Sequence, residues 1–148
     1  MIQKVVLTRF INAPVQRVYD WFYHSENFTA SPIVFISRWN TGRWESGSIR
    51  DVVMIAGWYR EEITAAVPGK HIDYRVVRSI PAVSQEFTRI HCEAQGSGTL
   101  VTWTIELQVP LPAILPAALG SAMTKAGARM AGILYGSIMG AAARALET

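Results

Sequence analysis

The chain has a single cysteine, Cys92, among its 148 residues, so it forms no internal disulfide. That fits a reducing compartment, and a cytoplasmic location is the expectation, although a disulfide-free exported protein would look the same. Long apolar runs are missing as well. Between Arg129 and Arg144 lie 14 uncharged residues, and a membrane span needs about 20. No transmembrane segment is expected. Charge of one sign is scarce: 14 Lys and Arg against 11 Asp and Glu leave a net +3. The basic residues stand beside acids, as in Arg50–Asp51 and Arg60–Glu61. Nucleic acid calls for a basic stripe, so it is not an expected partner. The three histidines, His24, His71 and His91, show no metal-ligand spacing. His91 and Cys92 are adjacent in a strand pattern and face opposite ways. There is no phosphate loop and no nucleophile elbow. Neither a metal nor a cofactor is expected. The opening MIQKVVLTRFINAP is broken by Lys4 and Arg9 and does not read as a signal peptide.

What is present is apolar surface to bury. Half of the residues are hydrophobic, enough for a core and against disorder. One domain over 1–148 is expected. KVVLTRFI predicts a strand over Gln3–Ile11. NAPVQRVYDWF predicts a helix capped by Asn12, with Pro14 in its first turn. Its apolar face is Val15, Val18, Tyr19 and Phe22. A short helical turn follows at Ser25–Glu26. From Ile33 to Val109 six strand segments follow one another, separated by turn chemistry such as Pro68–Gly69 and Gly96–Ser97–Gly98. Short connections join antiparallel neighbours. PLPAILP then leads into a long helix, about Ala117 to Leu146. The fold class is α+β, with a seven-stranded antiparallel sheet curving around that helix.

Alternation assigns the faces. A turn at Ala56–Gly57 sets Met54 opposite Tyr59, Val52 opposite Glu61, and Arg50 opposite Ile63. These six share the inner face. Arg50 and Glu61 are then diagonal neighbours, either a structural ion pair or a polar anchor for a ligand. Ile72, Tyr74 and Val76 share the inner face of the next strand. Glu86, Thr88, Ile90 and Cys92 follow, and then Val101, Trp103, Ile105 and Leu107. Glu86 is thus expected to point inward, where desolvation would raise its pKa and suit it to proton transfer. Trp21, Trp39, Trp44 and Trp58 read as core. Trp103, mid-strand on the inner face, is the tryptophan singled out for the site.

On a helical wheel, Met123, Met130, Leu134, Ile138, Ala141 and Ala145 form the face that grips the sheet. Gly132, Gly136 and Gly140 fall on the outer side, with Tyr135, Met139 and Leu146 as apolar flanks. That bare strip either contacts a second copy, giving a homodimer, or is merely tolerated. Transient membrane contact through PLPAILP is a third reading.

The stretches INAPVQRVYDWF, GSIRDV, EEITAAVPGKHIDYRVV and GTLVTWTIEL, before a final helix ending in ALE, resemble the polyketide cyclase/dehydrase-like branch of the START/Bet v 1 helix-grip superfamily. The resemblance spans essentially the whole chain. GSIRDV is also similar to a strand of plant abscisic acid receptors, but AGWYR and SIPAV replace their gate and latch, so hormone reception is not implied. The resemblance implies an apolar cavity between sheet and last helix that holds a small hydrophobic molecule, a lipid or an aromatic, polyketide-like metabolite. It implies pocket positions at Val52, Met54, Glu61, Tyr74, Val76, Glu86, Thr88 and Trp103. Arg50, Tyr59, Ile63, Ile105, Met130, Leu134 and Ile138 complete the expected lining. A cyclase or dehydratase in the same cavity is the alternative, a metal-free lyase with Arg50, Glu86, Tyr59 and Tyr74 as candidate catalytic groups. An oligomeric protein with a filled cavity is the third.

Overall fold

A computed structural model describes residues 2–42 and 46–147. Trp44 lies outside them. The strands are β1 Gln3–Ile11, β2 Val34–Thr41, β3 Ile49–Met54, β4 Gly57–Val67, β5 His71–Ile80, β6 Ser84–Gln95 and β7 Gly98–Gln108. Helix α1 spans Val15–Tyr23, a 3-10 helix spans Ser25–Ala30, and α2 spans Ala117–Leu146. The six segments after the helices form a meander, and β1 closes on β7. The order is therefore β1-β7-β6-β5-β4-β3-β2, antiparallel throughout. This is the expected curved sheet gripping a long helix.

Alternation is cleanest in β7. Val101, Trp103, Ile105 and Leu107 are buried, while Thr102, Thr104 and Glu106 face outward. The convex face carries cross-strand ion pairs: Arg60–Asp51 at 3.0 Å, Arg75–Glu62 at 2.8 Å and Arg89–Asp73 at 2.7 Å. The concave face packs on α1, the 3-10 helix and α2. Trp103 is the hub, with its ring 4.4 Å from Tyr135, 5.8 Å from Phe22 and 6.0 Å from Phe28, centroid to centroid. Each such buried aromatic removes a large apolar area from water.

Several sequence expectations need correction. Asn12 does not cap α1. Pro14 occupies the cap position without a side-chain bond, and the Asn12 backbone N–H donates to Glu147 Oε2 at 2.9 Å. The β3–β4 turn is tighter than expected and pairs Met54 with Gly57, Val52 with Tyr59 and Arg50 with Glu61. The slip is two residues, so every side chain keeps its face. In α2 the buried stripe is Ala131, Leu134, Tyr135, Ile138, Met139, Ala142 and Leu146. Tyr135, Met139 and Leu146 are therefore core, not flanks of an outer groove. Met123, Met130 and Ala145 are exposed. An Ala- and Gly-rich helix offers few bulky side chains to orient it by sequence. Gly132 and Gly136 do face open space, whereas Gly140, expected on the same outer strip, is buried.

Two glycines predict opposite outcomes. Gly57 has φ +127° and its added Cβ would collide with the Ile80 carbonyl. Gly57→Ala should therefore cost about 1–3 kcal/mol in chemical denaturation. Gly136→Ala, unobstructed within a helix, should stabilise by about 0.5–1 kcal/mol. Equal effects at the two positions would contradict the placement of both.

Candidate functional site

A half-open cavity of about 300 Å³ lies at the end of the sheet that carries the β3–β4 and β5–β6 connections. Its floor is Met54, Ala56 and Tyr59 from the first hairpin, with Leu107 and Val109 at the end of β7. Pro81, Ala82 and Val83 of the β5–β6 loop form one side, held where the Val83 N–H donates to Ser79 Oγ at 3.0 Å. The roof is α2, through Met123, Gly127, Met130, Ala131, Leu134 and Tyr135. Before Ala131, α2 buries only Thr124, whose Oγ1 accepts the Val109 N–H at 3.0 Å. That bond tethers the helix to the strand at the cavity. At Gly127 an added Cβ would sit 3.5 Å from Leu107 and Val109, so the helix already lies close there.

Of the expected lining residues, Met54, Tyr59, Met130 and Leu134 reach this wall. Arg50, Val52, Glu61, Ile63, Tyr74, Val76, Thr88, Trp103, Ile105 and Ile138 are buried, but they do not line the cavity. The aromatic cluster around Trp103 fills the space they enclose. Glu86 points the other way. Its side chain is 71% exposed and lies 3.7 Å from Arg75 on the convex face. The cause is a bulge in β6: Gln85 pairs with Val76 and Thr88 with Tyr74, so two residues of β6, Glu86 and Phe87, lie opposite one residue of β5, Arg75. Glu86 and Phe87 are thrown outward, and Gln85 takes the inner position. Gln85 Nε2 donates to Thr88 Oγ1 at 2.7 Å across the bulge. Strict alternation missed Gln85, and nothing in SQEFTR marks a bulge. Tyr135 was also missed, because the wheel placed it outside.

The polar groups form two layers. At the cavity wall stand Gln85, Tyr59 and Tyr135. Tyr59 Oη donates to the Ala56 carbonyl at 3.2 Å. Tyr135 is pushed up from the ordinary tyrosine value by burial and then by the Glu61 charge, with hydrogen bonding from Gln85 and Tyr74 opposing. Tyr59 is raised by the same two causes. Behind them Arg50 Nε donates to Glu61 Oε1 at 2.8 Å, with the two side chains 1% and 3% exposed. The Arg50 guanidinium lies 4.6 Å from the Tyr74 ring centroid, with Phe28 and Trp39 rings also near. Tyr74 Oη accepts the Trp103 indole N–H at 3.2 Å. Burial raises Glu61 above the usual carboxylate range, and Arg50 pulls it back. Burial pushes the Cys92 thiol up to about 12, which leaves it un-ionised and poorly nucleophilic near neutral pH. Among the described residues, no three His, Cys, Asp or Glu side chains converge on a metal position, and no helix is long and apolar enough to cross a membrane.

A family model described as polyketide cyclase / dehydrase and lipid transport matches residues 3–147. No curated protein matches the chain. Among solved structures, major latex-like protein 151 from Panax ginseng superposes with a TM-score of 0.74 at 13% identity, over 98% of this chain and 97% of its own. A START superfamily protein from Mycobacterium smegmatis gives 0.73 at 17% identity, over 97% of each chain. DynU16, from the dynemicin biosynthetic locus, gives 0.61 at 15% identity, over 98% of this chain and 47% of its own. At these identities the likeness is one of fold.

The buried pair makes a pH prediction. Arg50→Met should destabilise by about 3–5 kcal/mol near neutral pH, because it strands a buried carboxylate. Glu61 already has a raised folded pKa, and losing Arg50 raises it further. The deficit should therefore be small below the unfolded carboxylate range, where Glu61 is neutral in both states. It should grow as pH rises through the folded value. Denaturation of Arg50→Met against Arg50→Met/Glu61→Leu across pH checks this: the double variant should recover most of the loss. A pH-independent deficit would refute it.

Proposed function

The chain belongs to the polyketide cyclase/dehydrase and lipid transport family, and from that membership and the cavity beneath α2 we propose that it binds a small hydrophobic molecule. The observation that carries this reading is the cavity itself, about 300 Å³, half-open, with walls of Met, Leu, Val, Ala and Pro broken by three polar side chains. That composition is typical of ligand pockets, where apolar walls supply affinity and a few polar groups set orientation. Met54, Tyr59, Met130 and Leu134 are the expected residues proposed to touch the ligand, joined by Gln85, Leu107, Ala131 and Tyr135. The methionines give the roof an adaptable surface.

A cyclase or dehydratase in the same cavity would need a proton-transfer group at the wall. The ionisable groups there are Tyr59 and Tyr135, and both are held in the neutral form by burial and by Glu61. Glu86 is on the convex face, and Glu61 is tied to Arg50 out of the cavity's reach. Binding is therefore the favoured reading over turnover.

Ala131→Leu places three added carbon atoms in the cavity from a rigid part of the roof. Affinity for the neutral fluorescent probe N-phenyl-1-naphthylamine should fall at least tenfold, which is about 1.4 kcal/mol. The thermal midpoint should hold or rise as empty space is filled. Unchanged probe affinity would mean that apolar molecules do not enter beneath α2.

A further inference from the structure

Among the described residues, the cavity wall contains no cation. Its residues are apolar except Gln85, Tyr59 and Tyr135, and none is Lys, Arg or His. Lys125 and Arg129 belong to the roof helix and are exposed; Lys125 lies two residues from Met123 and Gly127, about 200° around the helix, and Arg129 lies beside Met130, about 100° around, and neither lines the cavity. Arg50 is the nearest buried cation, and its Nε is committed to Glu61 behind the wall. Of that pair, Glu61 is the member that bears on Tyr59 and Tyr135, raising both. An anion entering this space would lose its hydration, find no opposing charge and meet the field of a carboxylate.

The donors and acceptors at the wall suit a neutral oxygen instead. The Gln85 amide is engaged with Thr88 Oγ1 and with the Tyr135 hydroxyl, and its carbonyl oxygen keeps acceptor capacity. Gln85 and Tyr74 donate to the Tyr135 oxygen, whose own O–H remains a donor, while the Tyr59 O–H is spent on the Ala56 carbonyl and leaves an oxygen that only accepts. A ligand hydroxyl or carbonyl finds both partners there.

Resting on the binding reading above, we propose that the cavity selects uncharged apolar molecules carrying a hydroxyl or carbonyl oxygen, held by Gln85 and Tyr135, and discriminates against carboxylates of the same chain length. Fatty alcohols, phenols, ketones and esters fall in the accepted class, and ionised fatty acids in the rejected one.

The test is displacement of N-phenyl-1-naphthylamine from the full chain at pH 8 by 1-decanol, 2-decanone and decanoate. Decanol and decanone should displace the probe at least tenfold more tightly than decanoate. In Gln85→Leu the advantage of decanol over decane should shrink about three- to tenfold, the range expected for one hydrogen bond. Decanoate binding as tightly as decanol to the unaltered chain would overturn the selectivity while leaving hydrophobic binding intact. No uptake of the probe or of any of the three would sink the binding reading, and this proposal with it.

Discussion

The contact between Trp103 and Tyr135 decides where the interior is full and where it is open. Trp103 sits midway along β7, and Tyr135 lies near the middle of α2. From Leu134 onward the helix is driven into the sheet, and Gly140 to Ala143 are buried on all sides. Before Ala131 the helix buries only Thr124, which is tied to Val109, and approaches Leu107 and Val109 at Gly127. The cavity lies beneath this part of the helix. The Trp103 cluster, with Phe22, Phe28 and Tyr135, walls it off from the rest of the concave face.

The Arg50–Glu61 pair is buried, and neither side chain lines the cavity. Burying two charges gains little stability over an apolar pair. Its consequence here is electrostatic. The guanidinium is turned toward the rings of Tyr74, Phe28 and Trp39, and the carboxylate acts on the tyrosines at the cavity. On the proposed reading, the polar side chains of the wall orient a ligand and the nearby carboxylate disfavours an anion. One buried pair ties the packing of the core to the chemistry of the opening.

The strand order, the closing of the meander by β1 and the extent of α2 were legible because they rest on periodicity and turn chemistry over long segments. The faces of β3, β5 and β7 were legible because alternation survives a two-residue slip such as the one at the Ala56–Gly57 turn. The site was less legible. A single bulge between Gln85 and Thr88 exchanged an expected inward acid, Glu86, for an amide. A bulge depends on neighbouring strands, so SQEFTR alone does not announce it. Tyr135 was misplaced because glycines and alanines leave the wheel of α2 poorly oriented. Trp103 and Tyr74 are inward, as expected, yet inward is not the same as cavity-facing. Which buried residues touch empty space depends on how the bulky rings fill the rest, and a strand pattern carries no such information.

The central claim is that the space beneath the first half of α2 is open to an apolar molecule. Native mass spectrometry of the chain isolated from its own host, followed by denaturation and identification of what is released, tests this most directly. The account predicts one small, uncharged, apolar molecule per chain. A mass equal to the bare chain, unchanged after incubation with a lipid and metabolite extract of the host, would contradict it.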